Sequence, residues 1–429
     1  MSKLAVFGGP KAVPIDFKPY TSVGPREAAA VARVMASGTL SAFYGLWCDQ
    51  FFGGPEVQAF EKAWSERFRV RHTVSVNSAT SGLIAAMGAV GVTPGSEVIV
   101  PPYTMSATAV APLFYGGIPV FVDIEPDTFN LDVGAVKKAI TPKTKAILAV
   151  NLLGHPANLA ELRALADANG IKLVEDNAQS VLTKENGRYA GTIGHIGVFS
   201  LNYHKHIHTG EGGMCTTDDD DLARRLQMIR NHGENSVEPL GYDNPTNLIG
   251  QNYRMSELHA AIGIEQLAAA DEHVSRRVRI AERLTEAAQG LEGLTPPVVR
   301  DGCTHAYYVW AMKLDAKKLG VSRAAFVKAL EAEGFPIAAG YHAPLYLLPV
   351  FQKRIAFGTF PFNLTERTYA KGMCPVTERM EYEELVCYQP CVSDVDDAAA
   401  RLLGTALRKV HQHRDELAAR ASELEARAG

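Results

Sequence analysis

The chain has no apolar run of about 18 residues, the length a membrane-spanning helix needs, and its opening MSKLAVFGGPKAVPIDF has no sustained apolar core of signal length. A cytoplasmic protein without a membrane partner is the expectation. Excess charge of either sign is also missing: the net charge is only −4, which gives no electrostatic case for nucleic acid or an anionic membrane surface. Cysteine is sparse, with six residues at 48, 215, 303, 374, 387 and 391. Cys387 and Cys391 are the only close pair, and no second pair completes a zinc-type spacing, so reduced thiols and no resident metal are expected. What remains is an ordinary soluble composition, 47% hydrophobic and 21% charged, in 429 residues, long enough for two domains.

What is present concentrates between residues 171 and 217. IKLVEDNAQS (171–180) is a β-branched and aliphatic run that ends in carboxylates and amides. A strand covered on both faces delivers polar groups in this way, at its carboxyl end. FSLNYHKHIHTGEGGMCTTDD (199–219) follows, with Lys205 at its centre. Asp176, Gln179, Ser200 and Lys205 therefore read as parts of one site. A cofactor with a pyridine nitrogen, a phenolic oxygen, a phosphate and an aldehyde would need an acid, an amide, a hydroxyl and a lysine together, and pyridoxal phosphate has all four groups. A lysine amine forms the Schiff base, and an aspartate paired with the ring nitrogen keeps that nitrogen protonated. One lysine among 43 Lys and Arg residues is ordinarily a solvated charge, and an aspartate at a strand end is usually a cap. The combination weighs the other way, because these are costly places for charge unless something pairs with it.

EDNAQS, GHIGVFSLNYHKHIHTGEGG and GQNYRMSELHAAIGIEQL (250–267), in that order and spacing, resemble the StrS-type (DegT/DnrJ-like) sugar and aminocyclitol aminotransferases, a fold type I pyridoxal phosphate family. The resemblance covers nearly the whole chain. It implies an α/β fold like that of aspartate aminotransferase, with a large, mainly parallel-sheet domain and a smaller C-terminal α+β domain. It also implies that Lys205 is the Schiff-base lysine, Asp176 the partner of the pyridinium, Gln179 a contact of the phenolic oxygen and Ser200 a phosphate ligand. Ala79 and Thr80 would add backbone N–H groups to the phosphate. Asn252 would reach the phosphate of a neighbouring subunit, making a homodimer with shared sites. Where the family stacks an aromatic residue on the pyridine this chain has Met105, a thioether that can still cover a ring face, with Tyr103 as the alternative. His342, in AGYHAPLYLLPVF (339–351), matches a histidine near the substrate mouth.

Taken in order, residues 1–20 read as an extended arm of the kind that lies on a partner subunit, 21–290 as the cofactor-binding domain and 291–429 as the small domain. PREAAAVARVMASG and GPEVQAFEKAWSERF have helical spacing, the second with Val57, Phe60, Ala63 and Trp64 as its core stripe. HTVSVNSATSGLIAAMGAVGV (72–92) is strand, small polar turn and Ala-rich helix, an arrangement that leaves free N–H groups where a phosphate is favoured. From 72 to 200 strands and helices alternate, which requires crossovers and a parallel sheet. Asn151, at the end of another buried strand, stands where many family members have histidine. His204, His206 and His208 alternate around Lys205 and would share one face of an extended segment, although nothing nearby completes a metal shell. The loop 234–253 is long for a mere connection. MSELHAAIGIEQLAAADEHVSRRVRIAERLTEAAQG (255–290) reads as one long helix linking the domains. VDDAAARLLGTALRKVHQHRDELAARASELEARAG reads as one terminal helix whose last two turns project into solvent.

The implied activity is transfer of an amino group from L-glutamate or L-glutamine to a keto-sugar, possibly nucleotide-linked, or a keto-cyclitol. Two alternatives stand beside it. One is a sugar dehydratase of the same family, which characteristically replaces the lysine with histidine. The other is a catalytically silent, metal-binding or regulatory relative.

Overall fold

The computed structural model describes residues 3–420 and Leu424. The large domain is built on β1 (His72–Val76), β2 (Glu97–Val100), β3 (Ile118–Phe121), β4 (Thr144–Val150), β5 (Lys172–Asp176), β8 (Ile196–Ser200) and β9 (Gly213–Thr217). A separate two-stranded hairpin is formed by β6 (Lys184–Glu185) and β7 (Arg188–Tyr189). The seven-stranded order is β1-β9-β8-β5-β4-β2-β3. β9 runs antiparallel to both of its neighbours, and the pairs β8–β5, β5–β4, β4–β2 and β2–β3 are parallel.

Continuous apolar strands are what a sheet covered on both faces demands. In β4, Ile147, Leu148 and Ala149 are all fully buried. Leu148, Val174 and Val198 share one core with the helices Ala79–Ala89 and Asp220–Arg230. Ile147 and Leu173 share the core of the opposite face with the helix Leu159–Ala168. The antiparallel β9 lies between β1 and β8, so β1, β8 and β5 point the same way. Their carboxyl ends meet along one edge, which carries Asn77 and Ser78, Asp176 and Ser200. Gly213 opens β9 there, and a Cβ on it would stand 2.7–2.8 Å from backbone atoms of Ser78 and Ala79. Only glycine lets that strand pass so close to the start of the helix.

The small domain has an antiparallel sheet of β10 (Leu294–Thr295), β11 (Trp310–Leu314), β12 (Ala338–Ala339) and β13 (Leu385–Tyr388), in the order β10-β11-β13-β12. Its core takes Phe326 and Leu330 from the helix Arg323–Ala332, and Leu403 and Leu407 from the helix Asp397–Gln412. Trp64 is fully buried in another core with Phe60 and Phe68, as its helical stripe predicts.

Three expectations change. The N-terminal segment packs on its own chain: Leu4, Phe7 and Val13 enter the small-domain core, and Glu333 accepts the N–H groups of Ala5 and Ala12, each at 2.8 Å. The linking helix is two helices, Glu257–Ala268 and Ala270–Ala288, with Ala269 at φ −94°, ψ 3° between them. That break carries no Gly or Pro to announce it. The terminal helix also divides, into Asp397–Gln412 and Arg414–Ala419, and in the last two turns, expected to project into solvent, the one described residue, Leu424, is buried in the small-domain core. No helix among the described residues is long and apolar enough to cross a membrane.

Candidate active site

The edge where β1, β5 and β8 end opens on a cavity of about 200 Å³ whose walls include Ala79, Thr80, Met105, Asp176, Gln179, Ser200, Asn202, His204, Lys205 and Glu211. Seven of the predicted site residues thus come together: Ala79, Thr80, Met105, Asp176, Gln179, Ser200 and Lys205.

Asp176 is the last residue of β5 and is buried. Its carboxylate accepts the hydroxyl of Thr108 at 2.8 Å and the N–H of Ala178 at 3.2 Å. Burial pushes its carboxyl up from the ordinary aspartate value, against those two hydrogen bonds and the charge of Lys205. Lys205 lies in the loop between β8 and β9, pinned where its N–H donates to Asn202 O at 2.9 Å. Burial lowers its amine to about 8, opposed by Asp176 and Cys391.

At the other end of the cavity the helix Ala79–Ala89 begins. The Ser78 hydroxyl caps it by accepting the N–H of Ser81 at 3.1 Å, and Ser78 O accepts the N–H of Gly82. The N–H groups of Ala79 and Thr80 have no acceptor among the described residues and lie at the positive end of the helix dipole. Ser200, from the end of β8, stands beside them on the wall. Asn202 donates its amide to Glu211 at 2.9 Å, and its Oδ1 is buried without a partner. A lysine amine, a buried carboxylate, an amide and a free helix N-terminus around one small cavity form a donor set that fits pyridoxal phosphate. No group of three or more His, Cys, Asp or Glu residues among those described could hold a metal ion.

The other predicted residues fall elsewhere. Tyr103 is fully buried and off the cavity wall, with its hydroxyl donated to Glu381 at 2.7 Å, so it is the exposed Met105 that borders the cavity. His342 is exposed and stacks edge-on against Tyr341 at 4.3 Å. Asn252 is exposed and away from the cavity of its own chain, pairing with Asn231 and accepting Arg254 Nε at 2.7 Å. The three histidines do not share a face, because residues 203–207 form turns and not an extended strand. His204 borders the cavity, His206 is buried against Ala306 O at 2.8 Å, and His208 accepts the N–H of Gly210. Asn151 is a structural bracket, with Nδ2 on Glu175 and Asn177 and Oδ1 on the N–H of Ala157. Thr108, Tyr308 and Tyr341 were not legible as site residues. Tyr308 lies 4.3 Å from Lys205 Nζ, and Tyr341 accepts Gln179 Nε2 at 3.1 Å.

The profile of the DegT/DnrJ/EryC1/StrS aminotransferase family matches residues 45–388. The chain belongs to this family. Its members are pyridoxal phosphate-dependent aminotransferases of fold type I, and this DegT/DnrJ/EryC1/StrS chain has their large, mostly parallel sheet and small antiparallel one. It is 35% identical to the L-glutamine:2-deoxy-scyllo-inosose aminotransferase of Streptomyces kanamyceticus, over 97% of this chain and 99% of that one. The crystal structure of DesI with its TDP-sugar product superposes with a TM-score of 0.79 at 30% identity, covering 98% of this chain and 99% of that one. A GDP-4-keto-6-deoxymannose-3-dehydratase with a trapped PLP-glutamate geminal diamine superposes with a TM-score of 0.74 at 25% identity, covering 91% of this chain and all of the other.

Proposed function

We propose that this family member, as a cytoplasmic homodimer, moves an amino group from L-glutamine or L-glutamate to the ketone carbon of a sugar or cyclitol. Pyridoxal phosphate would be held by Lys205, Asp176, Gln179, Ser200 and the N–H groups of Ala79 and Thr80. The observation that carries the reading is the placement of one half-buried amine and one buried carboxylate on a cavity that ends at a helix N-terminus with free N–H groups. When bound, the cofactor supplies an electron sink that stabilises negative charge at the donor α-carbon.

The rest is done by side chains. Thr108 and the N–H of Ala178 orient Asp176 and leave it acceptor capacity for a protonated ring nitrogen. That new positive charge also offsets the burial that otherwise resists ionisation of Asp176. Gln179 keeps one N–H for the ring oxygen, because the other goes to Tyr341. Met105, on the cavity wall, would cover one ring face. Lys205, with its amine near 8, holds an unprotonated fraction at neutral pH and would take the proton from the donor α-carbon as base and deliver it as acid to the carbon that was the cofactor's aldehyde. Asn252, which does not border the cavity of its own chain, would serve a second copy of the chain.

Retention of Lys205 favours amino transfer over dehydration, since the family's dehydratases resemble one another in having histidine there. The test is a titration with pyridoxal phosphate followed by visible absorption. The expected result is a band that Lys205→Ala abolishes and that glutamine or glutamate bleaches without an acceptor. Addition of 2-deoxy-scyllo-inosose or a nucleotide-linked keto-sugar then restores it. A band that persists in Lys205→Ala, or that neither donor changes, overturns the reading.

A further inference from the structure

Two tyrosines from the small-domain side of the chain meet over the lysine. Tyr308 precedes β11 and is buried, with its ring centroid 4.3 Å from Lys205 Nζ. Its hydroxyl lies near that of Tyr341, which follows β12; burial raises both, and the pairing pushes Tyr308 further up and Tyr341 back down. The Tyr341 hydroxyl accepts Gln179 Nε2 at 3.1 Å. The orientation of that amide is fixed by chemistry: Gln179 Oε1 accepts the backbone N–H of Leu153 at 2.7 Å, a group that can only donate, so the nitrogen must face the tyrosine. The N–H of Tyr341 donates to Glu381 at 2.8 Å, the same carboxylate that takes the hydroxyl of Tyr103. A hydrogen bond from Gln179 on the cavity wall thus fixes Tyr341, and the hydroxyl of Tyr341 lies near that of Tyr308, whose aromatic face stands against the amine.

The negative face of an aromatic ring attracts an ammonium group and gives a neutral amine much less. Burial acts in the opposite direction, favouring the neutral amine. We propose that Tyr308, held in register by Tyr341 and Gln179, is a positioning residue that parks the free Lys205 amine and raises its proton affinity. Asp176 and Cys391 also favour the charged form, and the imidazoles of His204, His206 and His342 lie within the field of the lysine. The proposal rests on Lys205 being the reactive amine, and its test therefore reads the lysine in cofactor-free protein.

The measurement is the pH dependence of Lys205 acetylation by acetic anhydride in the cofactor-free chain, quantified by mass spectrometry against a reference peptide. Tyr308→Leu keeps apolar bulk and removes the π face, and the proton affinity of Lys205 is expected to fall about tenfold. Tyr308→Phe keeps the face and is expected to stay within about twofold of the parent. Tyr341→Phe removes one oxygen from the tether and should fall between the two. Should Tyr308→Leu fail to fold by circular dichroism, the shift in Tyr341→Phe decides the matter. A midpoint in Tyr308→Leu equal to or above that of the parent, or a fall in Tyr308→Phe as large as in Tyr308→Leu, overturns the proposal. An unshifted Tyr341→Phe overturns the tether. Failure of the proposed function is distinguishable: the parent protein would then form no visible band with pyridoxal phosphate, whatever the acetylation midpoints.

Discussion

Strand β5 ends in two adjacent carboxylates that the sheet sends to opposite faces. Glu175 accepts the N–H groups of Gly191 at 2.5 Å, Ile193 at 2.8 Å and Gly194 at 2.5 Å, and Nδ2 of Asn151 at 3.0 Å. Four donors saturate a carboxylate, and this one clamps the loop between β7 and β8 beneath the sheet. Asp176 receives two donors from the chain and borders the cavity. Burial pushes both carboxyls up, so burial alone does not separate a clamp from a site residue. The difference is whether the protein fills every lone pair or leaves some open.

Breaking the open carboxylate should have the largest effect. Asp176→Asn would remove the countercharge proposed for the protonated ring nitrogen, a loss of about 3–5 kcal/mol if the pair is buried, so the amino-transfer rate should fall between about a hundredfold and several thousandfold while the protein stays folded. Single-turnover kinetics with glutamine checks this. Glu175→Gln should do the reverse. It leaves backbone N–H groups unpaired at a cost of about 2–4 kcal/mol, seen as a lower urea midpoint, with the rate per folded molecule within about threefold of the parent.

The smallest change sharpens the contrast. Thr108→Val removes one hydrogen bond from Asp176, worth about 1–3 kcal/mol to an ionised acceptor. That bond favours the ionised form, so its loss raises the pKa of Asp176. Activity that needs the carboxylate ionised is lost at the raised pKa as the medium is acidified. The acid limb of the pH–rate profile should therefore move to higher pH, and the alkaline limb should stay where it is.

Asp176, Gln179, Ser200 and Lys205 were legible because they lie within 30 residues of one another on a strand, a turn and a loop that the sequence marks by its apolar run and glycines. Ala79 and Thr80 were legible for a similar local reason: a small polar turn between strand and helix. The tyrosines were not. Tyr308 and Tyr341 stand more than 100 residues from Lys205, and their approach depends on how the small domain seats against the sheet, which no local pattern encodes. Tyr103 misled because its neighbour Met105 points into the cavity while it turns inward to Glu381, a choice set by a carboxylate far along the chain. The histidines misled through periodicity: alternation implies a shared face only in an extended segment, and this one turns. The parallel sheet was legible in the apolar strands. The break at Ala269 was not, since alanine suits either side of it.

Residues that fill the small-domain core arrive from positions about 400 residues apart in the sequence. Leu4 and Val13 touch the same interior as Leu407 and Leu417, with Glu333 and Lys409 bonded at 2.8 Å between them. On the ribosome the seven-stranded sheet, with its lysine loop, has all its strands well before the last helix emerges. The segment from Leu4 to Val13 must therefore wait for residues about 400 positions later before the surface it covers is complete.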